Sequence, residues 1–185
     1  MDYKESLEKF SLLMESIDLS NAYKFKKYPI GRDTLYEFKN NGGDTIAVFF
    51  KNKGKGNSQF HNNLEEKGVN PKGLKYFELS FGKSVDDDDY DERKAEYALT
   101  KAGDARTVLT TVTSTVADFL KKNKGNVVIG FAGDDAGKKK DSGQRMRVYM
   151  KMQERAFKQI PALKNFAFTD MTSDDDGEWA VIHKK

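Results

Sequence analysis

Three stretches of this chain set charged or anion-binding residue types at spacings that chemistry uses. The first is Ala132-Gly133-Asp134-Asp135-Ala136-Gly137-Lys138-Lys139, which lies between an apolar run and an amphipathic one. Glycines free backbone N–H groups to face an anion, so strand, glycine-rich loop and helix form the setting of a phosphate-binding loop. Two departures weigh against it here. Lys139 stands where a magnesium-holding Ser or Thr belongs, and Asp134 and Asp135 place negative charge beside the anion. The same strand–loop–helix logic admits a nucleotide- or acyl-CoA-dependent enzyme working through residues 132–143, although Gly143-Gln144-Arg145 alone adds little to it.

The second stretch is basic. Arg147, Lys151, Arg155 and Lys158 recur every three or four residues, opposite Met146, Tyr149, Met150, Gln153, Phe157 and Ile160. Lys138, Lys139, Lys140 and Arg145 lie just upstream, and Lys121, Lys122 and Lys124 end a neighbouring helical pattern. Such a stripe can neutralise several phosphates, which makes these residues polyanion-binding candidates. An ordinary solvated helix face has the same pattern, and Glu154 interrupts the stripe.

The third is acidic. Asp86, Asp87, Asp88, Asp89, Asp91 and Glu92 crowd one short run, and Asp174-Asp175-Asp176 forms another. Neither has the alternating ligand spacing and distal Glu of a calcium loop, so no metal is expected. A run of like charges repels itself into solvent, where it can dock on a basic partner by complementarity.

Other chemistries find no support. The chain has no Cys, which excludes thiolate catalysis, disulfides and Cys-based zinc sites. Its two histidines, His61 and His183, are not placed as general bases, and no Gly-x-Ser-x-Gly elbow is present. No cofactor is expected, and a non-enzymatic role is favoured.

Periodicity predicts the elements that must hold these stretches. Leu7, Phe10, Leu13, Met14 and Ile17 predict a helix over 3–17. Tyr23 and Phe25 alternate with lysines as in a half-buried strand. Two β-prone runs around Asn40-Asn41-Gly42-Gly43 predict a hairpin. Residues 51–73 read as a flexible excursion with one helical turn near Leu64. Leu74 to Phe81 predicts a strand, and Tyr97 to Leu99 another. Asp104 is an N-cap candidate for a helix with Val108, Val112, Val116 and Phe119 on one face. Val127-Val128-Ile129 predicts a strand buried on both faces. A helix ending at Pro161 and a closing hairpin around 173–177 complete the order.

That order predicts an α+β fold, with a mostly antiparallel sheet covered on one face by two or three helices. The whole chain, 1–185, reads as a single domain with a flexible insertion around 51–73 and an acidic loop at 84–93. The net charge of +3 is too small for a surface that is basic throughout, so charge must act through local clustering. No apolar run approaches the roughly 20 residues of a membrane span, and the charged start Met1-Asp2-Tyr3-Lys4-Glu5 is unlike a signal peptide. A soluble, cytoplasmic protein away from membranes is expected.

One pattern resembles a known group. Gly103-Asp104-Ala105, Val108 to Val112, Phe119, Ile129-Gly130-Phe131 and Arg145-Met146-Arg147-Val148-Tyr149 together are similar to small uncharacterised bacteriophage and bacterial α+β proteins, over about residues 103–157. The resemblance implies a phage origin, with the host cytoplasm as location, and carries no activity with it. The expected function is therefore non-catalytic interaction with a protein partner, as a phage accessory or host-interaction factor. Nucleic-acid binding through the basic helix face is the first alternative and the ligand-loop enzyme the second.

Overall fold

The protein is described by a computed structural model over residues 19–84, 104–132, 153–171 and 179–185. The helix expected at 3–17, the acidic runs, the strand at 97–99 and the glycine- and lysine-rich loop lie outside the described residues.

The first half is built from local hairpins. β1 (Lys26–Ile30) turns at Gly31 into β2 (Asp33–Lys39), which turns through Asn40–Asp44 into β3 (Thr45–Gly54). Gly31 at φ 59° and Gly43 at φ 81° take the left-handed conformation that a side chain disfavours, so both turns need glycine. β1 departs from the strand expected around Tyr23 and Phe25. It is an exposed edge strand containing Pro29, so no apolar alternation marks it, and Tyr23 and Phe25 pack against the core just before it begins.

Helix α1 (Ser58–Glu66) follows β3, opened by Asn57, whose side chain accepts the Phe60 N–H at 2.8 Å. Sequence spacing places one helical turn here. The structure has nine helical residues, anchored by Leu64 with no solvent exposure. β4 (Lys75–Lys83) then pairs antiparallel with β3. Helix α2 (Ala105–Lys122) crosses back to β5 (Val127–Ala132), so β4 and β5 lie parallel, as a helical crossover requires. The helix α3 covers 153–159, and Pro161 ends it by opening a 3-10 turn to Leu163. β6 (Phe166–Asp170) and β7 (Trp179–Lys184) form the closing hairpin.

The seven described strands make one sheet in the order β1-β2-β3-β4-β5-β7-β6, with β4–β5 the parallel pair among them. This is the expected α+β fold on a mostly antiparallel sheet. β5 is buried on both faces, with Val127, Val128 and Ile129 at most 1% exposed. Val127 and Ile129 join the main core beneath α2 and α3, while Val128 joins Leu64, Val69 and Val181 beneath α1. Two described helices therefore share one face and α1 takes the other.

Phe119 of α2 centres the main core. It stacks on Phe50 at 4.1 Å between ring centroids and meets Phe77 edge-on at 4.9 Å. The Thr-rich sequence of α2 disfavours helix, yet Thr111, Thr113 and Thr115 are buried in one. Their hydroxyls donate to carbonyls three or four residues back, at 2.7–3.0 Å, so burial leaves no donor unpaired. α3 is tied to this helix where Gln153 Nε2 donates to Thr113 Oγ1 at 3.2 Å.

Gly130 makes room for a neighbour. A Cβ there would lie 2.8 Å from the Tyr76 hydroxyl and 2.9 Å from its ring, and that ring packs on Phe60 at 4.2 Å. Gly130→Ala is expected to push Tyr76 from its seat and lower stability by about 1–3 kcal/mol, read by denaturant unfolding.

Candidate functional site

The strand register gathers lysines that are far apart in the chain. Lys75 pairs with Val127, Val128 with His183, and Lys184 with Phe166. The starts of β4, β5 and β6 and the end of β7 therefore meet at one end of the sheet. Lys72 and Lys75 stand there before and at the start of β4, Lys124 before β5, Lys164 before β6, and Lys184 and Lys185 at the end of β7. All six are exposed. α2 also ends here, bringing Lys121 and Lys122.

Hydrogen bonds to backbone carbonyls fix the turns that carry these lysines. Asn126 Nδ2 donates to the carbonyls of Asn70 and Lys72, both at 2.8 Å, and the Lys75 N–H donates to the Asn126 carbonyl at 2.8 Å. Lys185 Nζ donates to the Lys164 carbonyl at 2.8 Å, and its N–H to that of Asn165 at 3.0 Å. His183 belongs to the same end. Its Nδ1 donates to the Lys184 carbonyl and its Nε2 meets Thr169 Oγ1, each at 2.8 Å. Both ring nitrogens are thus engaged.

Some other lysines have carboxylate partners. Lys53 pairs with Glu78 at 2.6 Å and Lys122 with Asp118 at 3.1 Å. Among the described residues, Lys72, Lys75, Lys124, Lys164, Lys184 and Lys185 have no such partner, so their charges add. The nearby acids Glu65 and Glu66 sit on α1 and pair with none of them among the described residues.

Asp118 anchors the C-terminal end of α2 to the first hairpin. It accepts the Tyr36 hydroxyl at 2.8 Å and also pairs with Lys27 at 3.5 Å. Burial works against its charge, but the Tyr36 hydroxyl, Lys122 and Lys27 outweigh that and hold its pKa below the usual carboxylate range. Burial also lowers the Lys27 pKa, helped by Lys122 and opposed by Asp118, and burial with Asp118 raises that of Tyr36. A carboxylate whose pKa is lower folded than unfolded stabilises above its unfolded value of about 4, and the contribution is lost as pH falls through the folded value. Asp118→Asn is expected to flatten that part of the acid limb when Tm is measured from about pH 5 to pH 2.

The opposite end of α2 begins at Asp104. Asp104 occupies the N-cap position, since its carbonyl accepts the Val108 N–H at 3.0 Å, yet its side chain makes no capping bond. Its Oδ2 instead accepts the Tyr23 hydroxyl at 2.7 Å and the Asn41 N–H at 2.8 Å. The carboxylate therefore ties the β2–β3 turn and the chain before β1 to the helix. Burial and Asp104 push the Tyr23 pKa up to about 12. Asp104 Oδ1 and Asn40 Nδ2 are buried without a partner among the described residues.

Of the polyanion candidates from the sequence, Arg155 and Lys158 fall on the exposed side of α3. Lys158 is tied to Glu154 at 2.8 Å, the acid that interrupts the stripe. Lys138, Lys139, Lys140, Arg145, Arg147 and Lys151 lie outside the described residues, as do Asp86, Asp87, Asp88, Asp89, Asp91 and Glu92. The lysines gathered by β4, β6 and β7 carry no local signal. Each looks like a solvated turn lysine until the register puts them together.

These elements define an α+β protein on a single seven-stranded sheet with a helical crossover and one lysine-rich end. The chain belongs to the family of unknown function DUF6934, which it matches over residues 23–167. Lys72, Lys75, Lys124 and Lys164 lie within that match, and Lys184 and Lys185 follow it. No curated protein and no solved structure matches the chain. No helix among the described residues is long and apolar enough to cross a membrane.

Proposed function

We propose that this protein binds nucleic acid, with the lysine-rich end of the sheet against the phosphate backbone. The observation that carries this reading is the gathering of Lys72, Lys75, Lys124, Lys164, Lys184 and Lys185, which have no carboxylate partner among the described residues, on hydrogen-bonded turns. Counterion release from phosphates facing such charges drives association. The lysines follow strand ends in a row, which suits a linear polyanion better than the compact face of an acidic protein.

The ligand-loop alternative rests on residues 132–143, of which all but Ala132 lie outside the described residues, and no described residue favours it. The resemblance to small phage and bacterial proteins supports an accessory or host-interaction setting for the binding.

The test is fluorescence anisotropy with a labelled single-stranded 20-mer at about 50 mM salt, a regime in which phosphate contacts are strong. Salt-sensitive binding is the expected result. No association at that salt would overturn the reading.

A further inference from the structure

We infer that this end recognises a phosphodiester strand by charge alone, engaging about three consecutive phosphates without reading the bases, an inference that rests on the nucleic-acid reading above. The span follows from the sheet. β4, β5, β7 and β6 are neighbours, and adjacent strands lie about 4.8 Å apart, so the row from Lys75 to Lys164 crosses three steps, or roughly 14 Å. The rise of about 3.4 Å per charge holds along a duplex axis, and neighbouring phosphates of a single strand lie about twice as far apart, which places about three phosphates against that row.

The chemistry of this end disfavours base readout. Base edges are read by forked donors and acceptors such as Arg, Asn and Gln. The six charges here are lysine ammonium groups, which act as points. Three amides at the same end are already engaged with backbone. Asn126 donates to the Asn70 and Lys72 carbonyls, Asn123 donates to the Phe119 carbonyl at 2.9 Å, and Asn70 accepts the Lys72 N–H at 2.9 Å. The rings on the α1 face are paired with each other, Phe60 on Tyr76, and so do not form a platform for stacking bases. His183 has both ring nitrogens engaged.

The experiment compares dT20, dA20 and a mixed-sequence 20-mer over about 25–200 mM salt. The expected result is affinities within about threefold of one another and a log–log salt slope of about −2 to −3, from roughly 0.7 per neutralised phosphate on a single strand. Lys184→Gln should bring the slope closer to zero by about 0.7, in parallel for all three oligonucleotides. A preference above about tenfold for one sequence, or a slope shallower than about −1, would overturn charge-only recognition, and a slope steeper than about −5 would overturn the count of about three phosphates, each leaving nucleic-acid binding standing. Failure to bind any of the three would overturn the nucleic-acid reading itself.

Discussion

Replacing Lys75, Lys124 and Lys184 together by Gln is expected to weaken single-stranded oligonucleotide binding about 500-fold at about 50 mM salt. Each neutralised phosphate contributes a factor that scales as the salt concentration to roughly the power −0.7, which is about eightfold at that salt, and the three losses multiply. The three side chains are exposed and have no carboxylate partner among the described residues, so their loss breaks no described ion pair. Tm should stay within a few degrees of the parent, because surface substitutions of this kind change stability by about 0.5 kcal/mol or less. Anisotropy reads the binding and thermal melting the fold. Binding that survives the triple change with an unaltered Tm would remove these lysines from the interface. Lys158→Gln on α3 is the informative control, because that ammonium is already paired with Glu154.

Phe119→Ala is expected to cost about 4 kcal/mol of folding stability, the range measured when a fully buried aromatic is cut to Ala. Phe119 has no solvent exposure, stacks on Phe50 and meets Phe77 edge-on, so the cavity opens where α2 meets the middle of the sheet. A domain stability of about 5–15 kcal/mol would fall by a quarter or more. For a chain of this size, Tm should drop by about 8–16 °C. Phe119→Leu retains most of the buried volume and should recover more than half of that loss. A Phe119→Ala protein melting within 2–3 °C of the parent would show that α2 is not held by this packing.

The fold was legible where burial imposes a period. Val108, Val112, Val116 and Phe119 recur at helical spacing because one face of α2 must meet the sheet, and all four are buried. Val127 to Ile129 form a continuous apolar run because β5 lies between β4 and β7 with a core on each face. β1 was illegible for the opposite reason. An exposed edge strand interrupted by Pro29 has no face to bury and hence no pattern to show. Residue type alone marks Asp104 as a cap, but its carboxylate partners lie 81 and 63 residues away, and those contacts divert it from capping.

The candidate site was less legible than the fold for the same physical reason. A helical basic stripe repeats locally, so Arg147, Lys151, Arg155 and Lys158 draw attention in the sequence. Lys75, Lys124, Lys164 and Lys184 come from four separate segments, and only the pairings Lys75 with Val127, Val128 with His183 and Lys184 with Phe166 bring them to one end. Strand register is a tertiary quantity, set by which apolar residues must share a core. Surface lysines at strand ends follow from it and leave no mark on local periodicity.

The most direct test is to map the bound surface residue by residue. Amide chemical-shift changes are recorded in a ¹H–¹⁵N spectrum as a single-stranded 20-mer is added at low salt. The expected result is that changes concentrate at 72–75, 124–127, 164–166 and 183–185 and reverse when salt is raised. Changes confined to other residues, with those four segments unmoved, would contradict the assignment of the lysine-rich end as the binding surface.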